Sequence, residues 1–405
     1  MRRVVITGMG IISPIGNTPE KALDSLLKGT SGVDYIPEWD DLKLLRPRVG
    51  AAVEDFELEQ LPRKVRRTMG RVGGLAAEST RLAVEDAGID PAWLSSGEVG
   101  VSFGSTMGSL ERLAYYYGHL GSKGELGEYR ATSFLQVMSH TCAANIAQIH
   151  SVRGRMIAPC SACTSGSQSI GFAAEAIRYG KLNGAIAGGA DELHFISAAT
   201  FDVMHGASYN FNDSPKLTPR PFDAERDGLV VGEGSGTLIL EEREHAQARG
   251  ARIYGEILGY GTNCDGTHMT APSSDGMKGA MELALSDAGI KSGDIDYINA
   301  HATATIRGDI AEATAVRALF KDSVPVSSTK SLTGHTLGAC GAIETIFCLM
   351  LAREGRVVPT YNLKETDPEC GGIYHPDGVE KKDIRVFMNN NFAFGGVNSS
   401  IIIGL

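Results

Sequence analysis

A layered α/β fold built from two similar halves is what this sequence predicts. Three observations carry the expectation: its glycine content, its alternation of strand-like and helix-like runs, and a pattern that begins again near residue 250. The 50 glycines among 405 residues imply many tight turns and close backbone approaches, which suit a sheet covered by helices better than a helical bundle.

The elements follow in order. Val4 to Thr7 is β-branched and reads as a first strand, Met69 to Gly88 as a helix, Val99 to Phe103 as a strand, and the Ala-rich Ser167 to Tyr179 as a helix. That order predicts a parallel or mixed sheet with helices on it. Ile253 to Gly261 (IYGEILGYG) then starts a new strand, followed by a helix through Gly279 to Ala288 and a strand from Tyr297 to Ala300. The halves also share a longer pattern. PCSACTSGSQSIGFAAEAIRYGKLNGAIAGG and SSTKSLTGHTLGACGAIETIFCLMLAREG each set a polar, glycine-containing turn before an Ala-rich helix. A duplication of this kind puts Cys163 and His335 at related positions, with two helix N-termini pointing into one shared site. The chain then divides into residues 1–250, carrying Cys163, and 251–405, carrying His301 and His335.

Composition narrows the function. Hydrophobic residues at 42% and charged residues at 21% are ordinary for a globular chain. A net charge of −10 argues against nucleic acid as a partner, because phosphate binding needs a basic face. The opening MRRVVITGMGIISPIG is broken by Gly and Pro and reads as a strand rather than a signal peptide, and no run approaches the ~18 apolar residues of a membrane span. Seven cysteines, at 142, 160, 163, 264, 340, 348 and 370, show no disulfide framework, so a reducing cytoplasm is expected. Cys160 and Cys163 have CxxC spacing, but no second pair and no nearby pair of histidines completes a metal site, and none is expected.

Three residues attract chemical attention. Cys163 precedes a helix, whose N-terminal N–H groups and partial positive charge favour a thiolate. A buried, inert cysteine is the alternative, but the small and hydroxyl side chains of ACTSGSQ leave room for a substrate. His301 follows a strand and opens a loop, and His335 sits at a glycine-flanked turn before a helix. Neutral imidazoles so placed donate a hydrogen bond to a developing enolate or carry a proton. Lys330, Glu312 and Glu344 stand in the same apolar, Gly-rich segments and need one another as partners if buried.

The strings CSACTSG, PFDAERDGLVVGEG, HMTAP, NAHATAT, STKSLTGHTLGACGAIE and NNNFAFGGVN, in this order and spacing, resemble the β-ketoacyl-carrier-protein synthase family, and most of all its type II elongating members. The resemblance spans essentially the whole chain. It implies the thiolase fold, a five-layered α/β/α/β/α body of two similar halves, and an acyltransferase that performs a decarboxylative condensation on malonyl-carrier, in fatty acid synthesis or in a type II polyketide or polyene pathway. It implies Cys163 as the acyl-accepting nucleophile, His301 and His335 as the catalytic histidines, and Lys330 as an organiser paired with Glu312 and Glu344. Thr270, Thr303 and Thr305 match contacts to the phosphopantetheine arm, with Phe392 beside them. Phe394 matches a gating residue whose N–H joins that of Cys163 in an oxyanion hole, and Gly395 and Gly396 let that loop move. Met107 falls where an acyl-pocket gate stands, and His140 in a segment lining the pocket or a dimer contact. Ala302 and Ile306 depart from the usual Gly and Pro, which puts the geometry of the pantetheine loop in question.

No cofactor is implied beyond the carrier's own phosphopantetheine. The implied partners are an acyl carrier protein and a second subunit, either an identical copy or one resembling a chain-length factor. Because carriers in this family are acidic, the basic run Arg63, Lys64, Arg66, Arg67 and Arg71, with Lys216 and Arg220 as additions, is the expected docking face. Two rivals stand against this reading. A degradative thiolase needs a second cysteine in the C-terminal loop, where FAFGGVNSS has none, and a non-catalytic partner subunit lacks the nucleophile that Cys163 supplies.

Overall fold

The structure, a computed structural model, describes residues 1–56, 61–125 and 129–405. Its main sheet has ten strands: β1 (Val4–Ile12), β2 (Val99–Gly104), β3 (Met156–Ile157), β4 (Gly184–Asp191), β5 (Gly234–Glu242), β6 (Gly255–Cys264), β7 (Tyr297–Asn299), β8 (Val326–Ser327), β9 (Val386–Ala393) and β10 (Val397–Gly404). Five long helices cover it: α1 (Arg71–Ala87), α2 (Ser165–Arg178), α3 (Ser274–Ala288), α4 (Ile306–Phe320) and α5 (Cys340–Glu354).

The strand order is β8-β7-β9-β10-β6-β1-β5-β4-β2-β3. Counted outward from the seam between β1 and β6, the two sides match strand for strand. β2 pairs parallel with β3 and β4, as β7 does with β8 and β9. The remaining pairs are antiparallel on both sides. The seam is only the pairs Val5↔Glu256 and Ile6↔Gly255, so the sheet folds there into two five-stranded leaves with α2 and α5 between them. α2 contacts β4 and β5 on one side and β6 and β10 on the other, while α5 contacts β5 and β9. α1 covers the outer face of the first leaf and α3, with α4 beside it, that of the second. This is the five-layered thiolase architecture.

Glycine is what lets the layers approach. A Cβ on Gly8 or Gly10 of β1 would lie 2.5 Å and 2.0 Å from the Ala83 and Ser79 carbonyls of α1, and one on Gly259 or Gly261 of β6 would lie 2.2 Å and 2.1 Å from Ala284 and Ala280 of α3. The same close helix-on-strand contact is thus built twice. Residues 340–352 of α5 are buried one after another, the pattern of a helix apolar all round in a central layer.

Differences from the sequence expectation lie mostly at element ends. β1 continues beyond Thr7 to Ile12, and α3 begins at Ser274, five residues before Gly279, where Ser273 accepts the Gly276 N–H as a cap. One expectation is corrected. A 3₁₀ turn at Ala162–Thr164 precedes α2 and another at Leu337–Ala339 precedes α5, with matching left-handed residues, Ala162 (φ 49°) and Leu337 (φ 51°). The counterpart of Cys163 is therefore Gly338. His335 lies three residues upstream of it, pinned by its own N–H to Val230 O (2.7 Å) and by Gly232 N–H to its carbonyl (2.9 Å).

Candidate active site

The turn at Ala162–Thr164 brings the Cys163 side chain to the floor of a cavity at the junction of the halves, where it is only 7% exposed. His335 Nε2 is 2.9 Å from Cys163 Sγ. His301, carried at the end of β7, stands edge-on to His335 with ring centroids 5.2 Å apart. The sulfur and one nitrogen of each ring all lie within 4.8 Å of one another. Such spacing also suits three ligands of a metal ion, but the buried Lys330 ammonium close by works against a cation there.

Behind the rings, Lys330 Nζ pairs with Glu344 Oε1, the two side chains being 1% and 2% exposed. Glu312 plays a different part from the one expected. Its carboxylate oxygens accept the main-chain N–H groups of His301 (2.8 Å) and Ala302 (2.7 Å), fixing the loop that carries the histidine. Ala302 has no positive φ, so its methyl group brings no backbone strain. The strained residue of this loop is Ala304 (φ 70°), held by its N–H to Asp309 Oδ1 (3.2 Å).

Burial governs the titration of this site. It pushes the Cys163 thiol up to about 12, with the charge of Lys330 opposing it. The expectation of a thiolate stabilised by the helix N-terminus is therefore corrected: the resting group is a thiol in contact with an imidazole. Burial and then Lys330 hold both imidazoles well below their ordinary range, so each ring is neutral. Burial would also lower Lys330, but Glu344 outweighs it and the ammonium is retained.

The cavity measures about 550 Å³. Cys163, His301, His335, Thr270, Thr303, Thr305, Phe392, Phe394, Gly396 and Glu312 all line it, as do Ala302 and Ile306, so most of the residues singled out from the sequence meet here. Lys330 and Glu344 lie just behind the wall, and Gly395 (φ 82°) turns the Phe394 loop, its N–H reaching Met269 O (2.8 Å).

Other residues singled out from the sequence lie elsewhere. Met107 and His140 are exposed and outside the cavity. Arg63, Lys64 and Arg66 form a one-turn helix, with Arg67 following it, also outside the cavity. Arg71 is drawn inward to Glu233 (2.7 Å), and Lys216 pairs with Asp34 (3.1 Å). Arg220 is corrected as a docking residue: it is 2% exposed and paired with Asp223 at 2.9 Å. Sequence reasoning missed the rim residues Phe201, Met204, His268 and Arg307, which come from three separate segments. It also missed Arg226, whose guanidinium reaches Ile306 O (3.0 Å) and Asp367 (2.8 Å) and steadies the loop after His301. The buried run Asn389 to Asn391 carried a usable signal, since three amides in an interior strand must each find partners.

Known proteins resemble this chain in sequence and in fold. Residues 1–246 match the model of the β-ketoacyl synthase N-terminal domain, and residues 254–364 that of its C-terminal domain. The 3-oxoacyl-[acyl-carrier-protein] synthase 1 of Haemophilus influenzae is 38% identical, over 99% of this chain and 98% of its own. Among solved structures, a β-ketoacyl synthase from Burkholderia phymatum STM815 superposes with a TM-score of 0.96 at 44% identity, covering 100% of this chain and 99% of its own. The ishigamide ketosynthase/chain length factor gives 0.93 at 33% identity, with the same coverage of both chains. With both parts of the chain matched and relatives alike from end to end, this protein belongs to the β-ketoacyl synthase family.

Proposed function

We propose that the chain is a 3-oxoacyl-carrier-protein synthase of fatty acid elongation, which loads an acyl group on Cys163 and condenses it with malonyl-carrier. The observation that carries this reading is the convergence of one thiol and two neutral imidazoles in a cavity of about 550 Å³. Cys163 is the nucleophile, and its proton leaves along the contact to His335 Nε2 and passes to the thiol of the departing arm. N–H groups of Cys163 and Phe394 receive the oxyanion. Malonyl on a second carrier then loses CO₂; the enolate oxygen takes hydrogen bonds from His301 and His335, the His335 ring now carrying its proton on the nitrogen that faces the enolate. The enolate carbon attacks the acyl-cysteine, expelling a Cys163 thiolate that takes up one proton to restore the thiol. Thr270, Thr303 and Thr305 hold the arm, and Lys330 keeps the imidazoles neutral.

No metal or organic cofactor has a part in this reading. Residues 1–250 form the half that carries the nucleophile and 251–405 the half that carries the histidines. Arg63, Lys64, Arg66 and Arg67 dock the carrier. A homodimer is supported by the unequal sheet edges: β8 is bridged by Tyr374, while β3 at the other end leaves Met156 exposed. A cytoplasmic setting is supported by seven free thiols. The likeness to a ketosynthase/chain length factor favours a second reading, a polyketide or polyene ketosynthase paired with such a subunit. Intact-mass analysis after incubation with a panel of acyl carriers separates the two. Saturated chains retained on Cys163 support elongation, polyketide or polyene chains support the second reading, and mass on another residue contradicts both.

A further inference from the structure

We infer that Asn391 and Cys340 are positioning residues for the two main-chain N–H groups of the oxyanion hole, an inference that rests on the reading of Cys163 as acyl acceptor. Neither side chain reaches the cavity, and neither has a part in the mechanism above. Both stand in a single buried chain of contacts. Cys340, the first residue of α5, donates its S–H to the carbonyl of Cys163 (Sγ to O 3.3 Å). Asn391 of β9 donates to Cys340 Sγ (3.4 Å) and to Glu344 Oε2 (2.8 Å), and Glu344 pairs with Lys330.

The chain joins two places that must keep a fixed spacing. At one end is the turn of Cys163, where Ala162 at φ 49° is a strained conformation that persists only when its surroundings hold it. The Cys163 carbonyl shares a peptide plane with the Thr164 N–H, itself held by Ser161 O (3.2 Å). With that plane fixed, only the φ and ψ of Cys163 separate it from the Cys163 N–H, and the Cys163 Cα and Sγ are held beside it. At the other end, Asn391 lies three residues before Phe394 on the strand that enters the gating loop. The contact between Asn391 and Cys340 therefore sets the distance between the two oxyanion donors across the junction of the halves. Asn391 also bears a cost of its own. Its Oδ1 is buried without a hydrogen-bond partner, which a side chain chosen for stability alone would avoid. Cys340 is no competing nucleophile, because burial and the charge of Glu344 hold its thiol well above the ordinary range.

The test separates acyl transfer, which needs the oxyanion hole, from decarboxylation, which depends on the histidines. Cys340→Ala, Asn391→Ala, their double variant and Cys340→Ser are compared by single-turnover acylation of Cys163 and by CO₂ release from malonyl-carrier. The inference expects each Ala variant to acylate about tenfold more slowly, with KM for acyl-carrier unchanged. The double variant is expected to be no worse than either single one, because both act through one chain. Cys340→Ser, which keeps a donor, restores the rate, and CO₂ release stays at the wild-type level. Equal slowing of both steps, wild-type acylation in the Ala variants, or no rescue by serine overturns it. Acylation of the unmodified protein at a residue other than Cys163 removes the underlying reading instead, and shows before any variant is made.

Discussion

Replacing Lys330 with Met removes a buried cation beside the histidines, and two separable effects follow. The first is on stability. Lys330 and Glu344 are 1% and 2% exposed, so Lys330→Met strands a buried carboxylate, a change that costs about 3–5 kcal/mol out of a net stability of roughly 5–15 kcal/mol. Adding Glu344→Gln removes the stranded charge and leaves an acceptor for Asn391. The double variant should regain most of the loss, as buried pairs replaced as a unit usually do. The second effect is electrostatic. Lys330 is, after burial, the force that holds both imidazoles low. Without it protonation becomes easier, the imidazoles titrate at higher pH, and the acid limb of kcat moves up in pH in both the single and the double variant. Urea unfolding and a pH–rate profile measure the two effects on the same proteins. A double variant as unstable as the single one would refute the desolvation argument. An acid limb that does not move would refute the claim that Lys330 sets the charge of the histidines.

Three further outcomes follow from the same geometry. Glu312→Gln turns an N–H toward a main-chain N–H at His301 or Ala302, so it should cost about 1–3 kcal/mol in thermal unfolding and lower kcat by displacing His301. Reversing the charge of Arg66 and Arg67 should raise KM for carrier-linked substrate and flatten its salt dependence, while small pantetheine mimics react as before; equal loss with both substrates would show damage to the fold. With the Cys163 thiol at about 12, its thiolate fraction grows with every step in pH, so alkylation by iodoacetamide should climb about tenfold per unit from pH 6 to 9. A plateau in that range would mean a standing thiolate–imidazolium pair.

Much of this was legible in the sequence because the chemistry lies in short strings. NAHATAT and STKSLTGHTLGACGAIE each place a histidine beside its own loop-forming residues, and the repeated turn-and-helix pattern announced the two halves. What was hidden depends on distance in the chain. Cys163 and His335, 172 positions apart in the chain, close to one hydrogen bond through the packing of α2 on α5. The rim of the cavity is assembled from segments around 201–206, 265–273 and 305–308, and no local pattern marks a wall built that way. The state of the Cys163 thiol was misjudged for a related reason. A helix N-terminus can be read from sequence, but the degree of burial that overrides it cannot. The counterpart of Cys163 was misplaced by three residues because the repeated strings align by composition, whereas the turns align by the left-handed residues Ala162 and Leu337.

The division of labour between the two histidines is the centre of this account, and acyl occupancy of Cys163 tests it most directly. From sequence, with a thiolate held by the helix, both His301→Ala and His335→Ala should load an acyl group. The structure separates them, since His335 alone touches the sulfur and the thiol needs a route for its proton. Intact mass is followed over time with acyl-carrier and again after malonyl-carrier is added. His301→Ala should load Cys163 at the wild-type rate and then keep the acyl group when malonyl-carrier arrives, because losing one donor at the enolate typically costs about 10²- to 10³-fold. His335→Ala should load slowly from the start. Loading of both variants at the wild-type rate, or discharge of the loaded His301→Ala enzyme by malonyl-carrier as fast as the wild type, would contradict the account.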